Sequence, residues 1–170
     1  VYKRQGFFRT GDIAEVEDGI VRITDRKKDL IKTSGGKYVA PPLIEASFKA
    51  VCPYASQIVV HGESRNYVSA LVALDPEALA QWAAHEQIVP AGTGPEAYAS
   101  IVANPATVAM VQGYIDELNE HLSRWETIKK FTLLSADLTV EAGELTPSMK
   151  LKRKYVEQKY MDQLDSMYSA

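Results

Sequence analysis

The sequence contains a single cysteine, Cys52, and this scarcity excludes an internal disulfide. A lone thiol is typical of a reducing compartment, so we expect a cytoplasmic protein. No uninterrupted apolar run approaches the roughly 18 residues that a membrane-spanning helix needs. Basic residues are not in excess, because the formal net charge is −3 over 170 residues. A general nucleic-acid binder carries a basic surface, so nucleic acid is not an expected partner.

The sequence also lacks the metal-ligand and phosphate-loop patterns that would indicate a particular reaction. The three histidines, His61, His85 and His121, are scattered and lack the spacing of metal ligands, so no metal site is expected in the chain. The segment SGGK at residues 34–37 lacks the four residues that separate the glycines of a Walker phosphate loop. Composition and periodicity alone therefore do not indicate a reaction.

The patterns that are present predict an α+β domain. Hairpin turns are predicted at Asp18-Gly19 and at Gly35-Gly36, because such pairs readily take positive φ. Helices are predicted from the Pro41-Pro42 pair and after two cap-and-proline signals, Asp75-Pro76 and Asn104-Pro105. Strands are predicted in SQIVVHG, YVSALVAL and IKKFTLLS. Because β-α-β alternation is lacking, we expect a small mixed domain with a short, mostly antiparallel sheet, packed helices and a helical insertion.

Two helices are predicted to bury an apolar face in the core. The second cap-and-proline signal precedes apolar residues at three-to-four spacing: Val108, Val111, Ile115, Leu118 and Leu122. A single helix is predicted at the C-terminal end, with its own apolar face: Val156, Tyr160, Leu164 and Met167.

Three segments, taken in order, carry a resemblance to a known family. They are GFFRTGD, DRKKDLIKTSGGKYVAPPLIE and LTPSMKLKR. Together they resemble the final segment of the adenylate-forming enzymes, which include acyl-coenzyme A synthetases, peptide-synthetase adenylation domains and beetle luciferases. Within this superfamily the chain is similar to long-chain fatty-acid–coenzyme A (CoA) ligases, on the basis of LIKTSGGKYVAP, RWETIKKFTLL and the helical insertion.

The resemblance implies a two-step reaction in which ATP and a fatty acid form an acyl-adenylate, and CoA then displaces AMP. It also implies a domain division: residues 1–24 end a large N-terminal adenylation domain, 25–30 form a hinge, and 31–170 form a mobile C-terminal lid domain. That large domain is the implied partner, and it supplies the phosphate loop, the acyl tunnel and most contacts to ATP and Mg²⁺. The opening VYKRQ, without an initiator Met, fits a chain cut from a longer protein.

Family positions map onto seven residues of this sequence. The resemblance assigns Asp12 to the ATP ribose, which a carboxylate can hold through two hydroxyls, and Arg26 to the nucleotide. Lys28 matches the hinge position. Lys32, Gly35 and Gly36 match the segment that faces the site during thioester formation, although a plain hairpin tip also explains these glycines.

Lys150 matches the lysine that reaches the substrate carboxylate and α-phosphate during adenylation. An ammonium there offsets the repulsion between two anions. The alternative is ordinary charge at a helix start, which fits Lys152 and Lys154 better. Many family members have Gly before this lysine, whereas Met149 stands here.

Several functions remain open alongside the ligase. The chain could be a free-standing nucleotide-binding or CoA-binding regulatory module, or part of a ligase for a shorter or aryl acid. IKTSGGKYVAP favours CoA over a carrier protein as the acyl acceptor. We expect the isolated chain to be inactive. Because the implied substrate is hydrophobic, we also expect that the enzyme can contact a membrane surface peripherally.

Overall fold

The computed structural model describes residues 3–4, 7–8, 10–26 and 29–169. Strands β1 (Lys3–Arg4) and β2 (Phe7–Phe8) form a short antiparallel ladder. Strands β3 (Asp12–Glu17) and β4 (Ile20–Arg26) form a longer hairpin. Its turn is at Asp18 and Gly19, with φ of 50° and 79°, so this predicted turn is confirmed.

The second predicted hairpin is also confirmed. Strands β5 (Ile31–Lys32) and β6 (Tyr38–Val39) pair antiparallel. Helix α1 (Pro41–Val51) then begins at the predicted proline pair and buries Ile44 and Phe48. A proline in the first turn lacks an N–H that would be unpaired in any case, so it does not weaken the helix.

The central sheet has three strands in the order β7 (Ala55–His61), β8 (Val68–Leu74), β9 (Ile128–Leu133). Strand β8 is buried along its whole length, as its place between two strands requires. β7 and β8 are antiparallel, whereas β8 and β9 are parallel. A parallel pair needs a long crossover, and the helical insertion supplies it with α2 (Pro76–His85), α3 (Pro95–Val102) and α4 (Pro105–Glu120).

A helix begins at each of the two predicted cap-and-proline sites. The Asp75 carboxylate accepts a hydrogen bond from the Ala78 amide at 2.8 Å, and the Asn104 side chain accepts one from the Ala106 amide at 2.9 Å. Helix α3 was not predicted, because the N-cap position before it is Gly94, which has no side chain to cap the helix. On α4, placing Val108 on the apolar face was wrong, since it is 42% exposed.

Helices cover both faces of the sheet. On one face, alternate residues of the central strands pack against α1 and the helical insertion: Ile58, Val60, Ala70, Val72 and Leu74. On the other face, Val59, Leu71 and Ala73 pack against α5 (Arg153–Lys159) and α6 (Met161–Tyr168). The prediction of one continuous C-terminal helix was wrong, because Tyr160, with φ −107° and ψ 23°, separates the two helices. Within the described ranges, none of the helices is both long and apolar enough to cross a bilayer.

Candidate functional site

Lys150 lies on a tight turn that we call the lysine hairpin, residues 145–151. An antiparallel bridge between Leu145 and Leu151 closes its base. The Thr146 amide donates to the Lys150 carbonyl at 2.8 Å, and the Lys150 amide donates to the Thr146 hydroxyl at 3.0 Å. Lys150 itself is exposed. The hairpin therefore presents an ammonium on a backbone that local hydrogen bonds hold in place.

The base of the lysine hairpin is bound to a buried carboxylate. Glu144 is 1% exposed, and one of its oxygens accepts from the Lys159 ammonium at 2.7 Å and from the Tyr160 hydroxyl at 2.8 Å. Its other oxygen accepts from the Thr139 amide at 2.9 Å. The Glu144 carbonyl accepts from the Lys152 amide at 2.9 Å, on the far side of the hairpin. The segment that leads into the hairpin is thus attached to α5 and to the start of α6.

These contacts set the ionisation of Glu144. Burial alone would raise the pKa of this carboxyl, but the bonds from Lys159, Thr139 and Tyr160 outweigh it and hold the pKa below its ordinary value of 4.5. The same bond to Glu144 raises the pKa of Lys159. The pair is therefore charged around neutral pH.

Arg153 fixes the other side of the lysine hairpin. Its guanidinium donates to both oxygens of Glu45 at 2.6 and 2.8 Å, and to the Val60 carbonyl at 3.0 Å. Glu45 also accepts from the Val60 amide at 2.8 Å. The first residue of α5 is therefore joined to α1 and β7 by a fork of charge-assisted bonds. In the sequence, Arg153 was indistinguishable from its basic neighbours, since its partners lie far along the chain.

The second predicted element is the glycine turn, residues 33–37. Gly36 has φ of 77°, and its amide donates to the Thr33 carbonyl at 2.9 Å. Gly35 has no such left-handed φ, and a Cβ built on it would meet nothing closer than the Thr33 hydroxyl oxygen at 4.0 Å. The backbone conformation therefore favours glycine at position 36 but not at position 35.

The glycine turn is tied to the connection between β7 and β8. The Ser34 amide donates to the Arg65 carbonyl at 2.9 Å, and the Ser34 hydroxyl donates to the Asn66 side chain at 2.8 Å. The Lys32 amide donates to the Glu63 carboxylate at 2.8 Å, while the Lys32 ammonium lies 5.6 Å from the Tyr38 ring centroid. These bonds hold the turn against the sheet.

A groove beside the glycine turn was not found from the sequence. It has a volume of about 350 Å³ and is lined by Thr33, Asn66, Tyr67, Arg124, Trp125, Thr127 and Lys129. We call it the cationic groove, because its charged lining residues are both basic. Trp125 is 46% exposed, and the Lys37 ammonium lies 5.0 Å from its ring centroid. A groove with an aromatic face and cations suits a ligand that carries both a ring and phosphates.

The predicted nucleotide residues meet at the end of the first long hairpin. Asp12 and Arg26 are directly opposite each other in the β3–β4 register. The Asp12 amide donates to the Thr10 hydroxyl at 3.1 Å. The side chain of Arg26 and the whole of Lys28 lie outside the described residues, so the roles predicted for them stay predictions. Within the described ranges, no cluster of three or more His, Cys, Asp or Glu residues could hold a metal.

The chain is similar to long-chain-fatty-acid–CoA ligases over nearly its whole length. The chain is 38% identical over 165 residues to the long-chain-fatty-acid–CoA ligase FadD15 of Mycobacterium tuberculosis, covering 96% of this chain and 27% of that protein. It is 32% identical over 179 residues to the long-chain-fatty-acid–CoA ligase ACSBG2 of Gallus gallus, covering 98% of this chain and 24% of that protein. The chain thus spans about a quarter of the length of these relatives.

The fold has close counterparts among solved structures. The adenylation domain of a carboxylate reductase from Mycobacterium chelonae superposes with a TM-score of 0.75 at 26% identity, covering 100% of this chain and 24% of that one. The adenylation domain of a carboxylic acid reductase from Segniliparus rugosus, in complex with AMP and a carboxylic acid, gives 0.73 at 28% identity, covering 99% of this chain and 24% of that one. The family model of the AMP-binding enzyme C-terminal domain matches residues 28–170. The chain therefore belongs to the AMP-binding enzyme C-terminal domain family.

Proposed function

We propose that this chain is the C-terminal part of a long-chain fatty-acid–CoA ligase of the AMP-forming type. The observation that carries the proposal is an exposed lysine on a fixed hairpin, in a domain whose relatives are fatty-acid–CoA ligases. Because the chain spans about a quarter of those relatives, the acyl tunnel and the phosphate loop are assigned to a large N-terminal domain.

In the first step, a fatty-acid carboxylate oxygen attacks the α-phosphorus of ATP, and pyrophosphate leaves with the bonding electrons. The reaction brings two anionic groups together, so its barrier is largely electrostatic. Lys150, delivered by the lysine hairpin, places an ammonium between them, and such a preorganised group is typically worth about 3–4 kcal/mol. Asp12 and Arg26 are assigned to the nucleotide, and Lys28 to the hinge. Mg²⁺ is assigned with ATP to the large domain, where it would neutralise phosphate charge.

In the second step, the thiol of CoA gives up its proton to solvent, its sulfur attacks the acyl carbonyl carbon, and AMP leaves with the electrons of the acyl C–O bond. We assign the glycine turn, with Gly35 and Gly36, and the adjacent Lys32 to the path of the pantetheine arm. Gly35 supports this assignment, because the fold itself does not demand glycine there. The cationic groove next to the turn suits the nucleotide end of CoA, with Trp125 for the ring and nearby cations for the phosphates.

A carrier protein is a second candidate acceptor. The chain is similar to an adenylation–carrier didomain of a carboxylic acid reductase in complex with AMP, at 30% identity and a TM-score of 0.69. A carrier protein presents the same pantetheine thiol, so the glycine turn would serve it equally well. It has no free CoA nucleotide, however, and would leave the cationic groove without that ligand.

We also propose a cytoplasmic location, where the buried Cys52 thiol would remain reduced. Burial raises the pKa of this thiol, so it is an unreactive part of the core. Contact of the full-length enzyme with membranes would follow from its substrate, and sedimentation with lipid vesicles would measure it.

The proposal is tested with the full-length enzyme and a series of carboxylic acids. Fatty-acid-dependent exchange of pyrophosphate into ATP should be highest with long-chain acids, and thioester should form with free CoA. The 170-residue chain alone should show no exchange. Exchange by the isolated chain would contradict the proposal. Tight CoA binding by the isolated chain, without any activity of the full-length protein, would favour a free-standing module. Preference for short or aryl acids, or for a carrier protein over CoA, would correct the substrate or the acceptor.

A further inference from the structure

The residue before Lys150 has an unusual backbone conformation. Met149 has φ of 60°, in the left-handed region that disfavours side chains with a Cβ. The other non-glycine residues with positive φ in the described part of the chain are polar: Asp18, Ser64 and Gln87. Small polar residues are the ones that tolerate this region, whereas a bulky residue there is a genuine outlier. Glycine would make the same turn without strain.

The surroundings of the Met149 side chain give no reason for this residue either. The side chain is apolar and yet 61% exposed. The turn is held by main-chain and Thr146 contacts, including the bond from the Met149 amide to the Thr146 carbonyl at 2.8 Å. Neither conformation nor burial within this domain therefore favours methionine at this position. Strain retained at a functional position is a reason to look for a contact made in another state.

The proposed movement of Lys150 into the reaction cleft provides such a state. Adjacent Cα atoms are 3.8 Å apart, so when the lysine hairpin enters the reaction cleft, Met149 enters with it. A fatty acid carries its apolar chain directly behind the carboxylate, so the cleft that the proposed function requires has an apolar wall beside that chain. An unbranched thioether can adapt to such a wall because it has three rotatable bonds.

We propose that Met149 is a positioning residue that docks the lysine hairpin against the apolar wall of the acyl cleft in the large domain during adenylation. This inference rests on the proposed function, because it requires Lys150 to enter that cleft. The contact exists only in the adenylation arrangement and is released before the thiol attacks. The Met149 contact thus stabilises the adenylation position of the C-terminal domain and does not stabilise its thioester-forming position.

Three substitutions in the full-length enzyme separate the side chain from the backbone. Met149→Gly removes both the strain and the side chain, Met149→Asn fits the left-handed conformation but is polar, and Met149→Leu keeps an apolar side chain. We expect the Gly and Asn variants to lose about tenfold in the rate of adenylate formation, which corresponds to about 1.4 kcal/mol. The Leu variant should stay within about twofold of the parent. Thioester formation from supplied acyl-adenylate should be unchanged in all three, and the melting temperature of the Gly variant should not fall.

An ordinary structural role predicts the opposite pattern. Met149→Gly would then adenylate as fast as the parent, since it relieves strain, and that result overturns the inference. Equal loss in both half-reactions, or a Leu variant as slow as the Gly variant, also overturns it. A loss that grows with acyl chain length would place the substrate, and not the domain wall, against Met149. Lys150→Ala measured alongside distinguishes the two proposals: normal adenylation by Lys150→Ala refutes the lysine assignment, whereas a defective Lys150→Ala with a normal Met149→Gly refutes only the docking contact.

Discussion

The two glycines of the glycine turn provide a matched pair of substitutions with opposite expected effects on stability. Gly35 has an ordinary φ and open space around its Cα, so Gly35→Ala should fit the native turn. Alanine at a compatible position stabilises a protein by about 0.4–1 kcal/mol, because it restricts the unfolded chain. Gly36 has φ of 77°, and alanine there should cost about 1–2 kcal/mol. The two variants should therefore differ by about 2 kcal/mol in free energy of unfolding.

The same pair separates a structural role from a functional one. If Gly35 is glycine so that the pantetheine arm can pass close to the backbone, the methyl group of Gly35→Ala will obstruct that path. We expect thioester formation from supplied acyl-adenylate to fall by about tenfold or more in the full-length Gly35→Ala enzyme, a loss of at least about 1.4 kcal/mol in transition-state binding. Adenylate formation should be unchanged.

Two measurements check this prediction. Denaturant unfolding of the 170-residue chain gives the stability of each variant, and single-turnover kinetics of the full-length enzyme gives the two half-reactions. A Gly35→Ala enzyme that is stable and forms thioester at the parent rate would show that the glycine turn is an ordinary hairpin tip.

Two further predictions concern the buried carboxylate and the cationic groove. Glu144→Gln should lower the free energy of unfolding by about 1.5–3 kcal/mol at about pH 6, because it weakens bonds to a charged group. Folding depresses the Glu144 pKa, so its stabilising effect is fully present above the ordinary value of 4.5 and is lost as the pH falls through the lower pKa of the folded state. Denaturant unfolding should therefore show parent and variant converging at acidic pH, and a gap that stays constant with pH would contradict the ionised state of Glu144. Trp125→Ala should raise the KM for CoA by about tenfold while the KM for ATP stays constant, through loss of a stacking face worth about 1–3 kcal/mol. Steady-state kinetics measures both constants, and an unchanged CoA constant would remove the nucleotide of CoA from the cationic groove.

Local chemistry explains which parts of the fold could be predicted from the sequence. The turn at Asp18-Gly19 and the helices that begin after Asp75 and Asn104 depend on neighbouring residues only, and the structure confirms them. The parallel pairing of β8 with β9 depends on residues about 60 positions apart, such as Val68 and Ile128, so it left no local signal. Helix α3 lacks a side-chain cap, and the break at Tyr160 leaves the apolar spacing of α5 and α6 intact.

The candidate site also has parts that local motifs predict and parts that only tertiary packing creates. The lysine hairpin and the glycine turn were found because contiguous motifs carry them. The bond between Arg153 and Glu45 spans 108 residues, and Glu144 is recognisable only once Lys159 and Tyr160 are seen around it. The cationic groove combines residues of the glycine turn, the β7–β8 connection and the segment before β9. Side chains that meet through tertiary packing give no signal in a single sequence.

The most direct test of the account compares the two half-reactions of full-length Lys150→Ala with those of Lys152→Ala. Lys152 is a matched control, because it is an exposed lysine two positions away whose contact to Glu144 is made by the backbone. We predict that Lys150→Ala lowers the rate of adenylate formation by about 10²–10³ and spares thioester formation from supplied acyl-adenylate, whereas Lys152→Ala affects neither step. Equal losses in both steps for Lys150→Ala, or equal effects of the two substitutions on adenylation, would contradict the assignment of Lys150 to the first step.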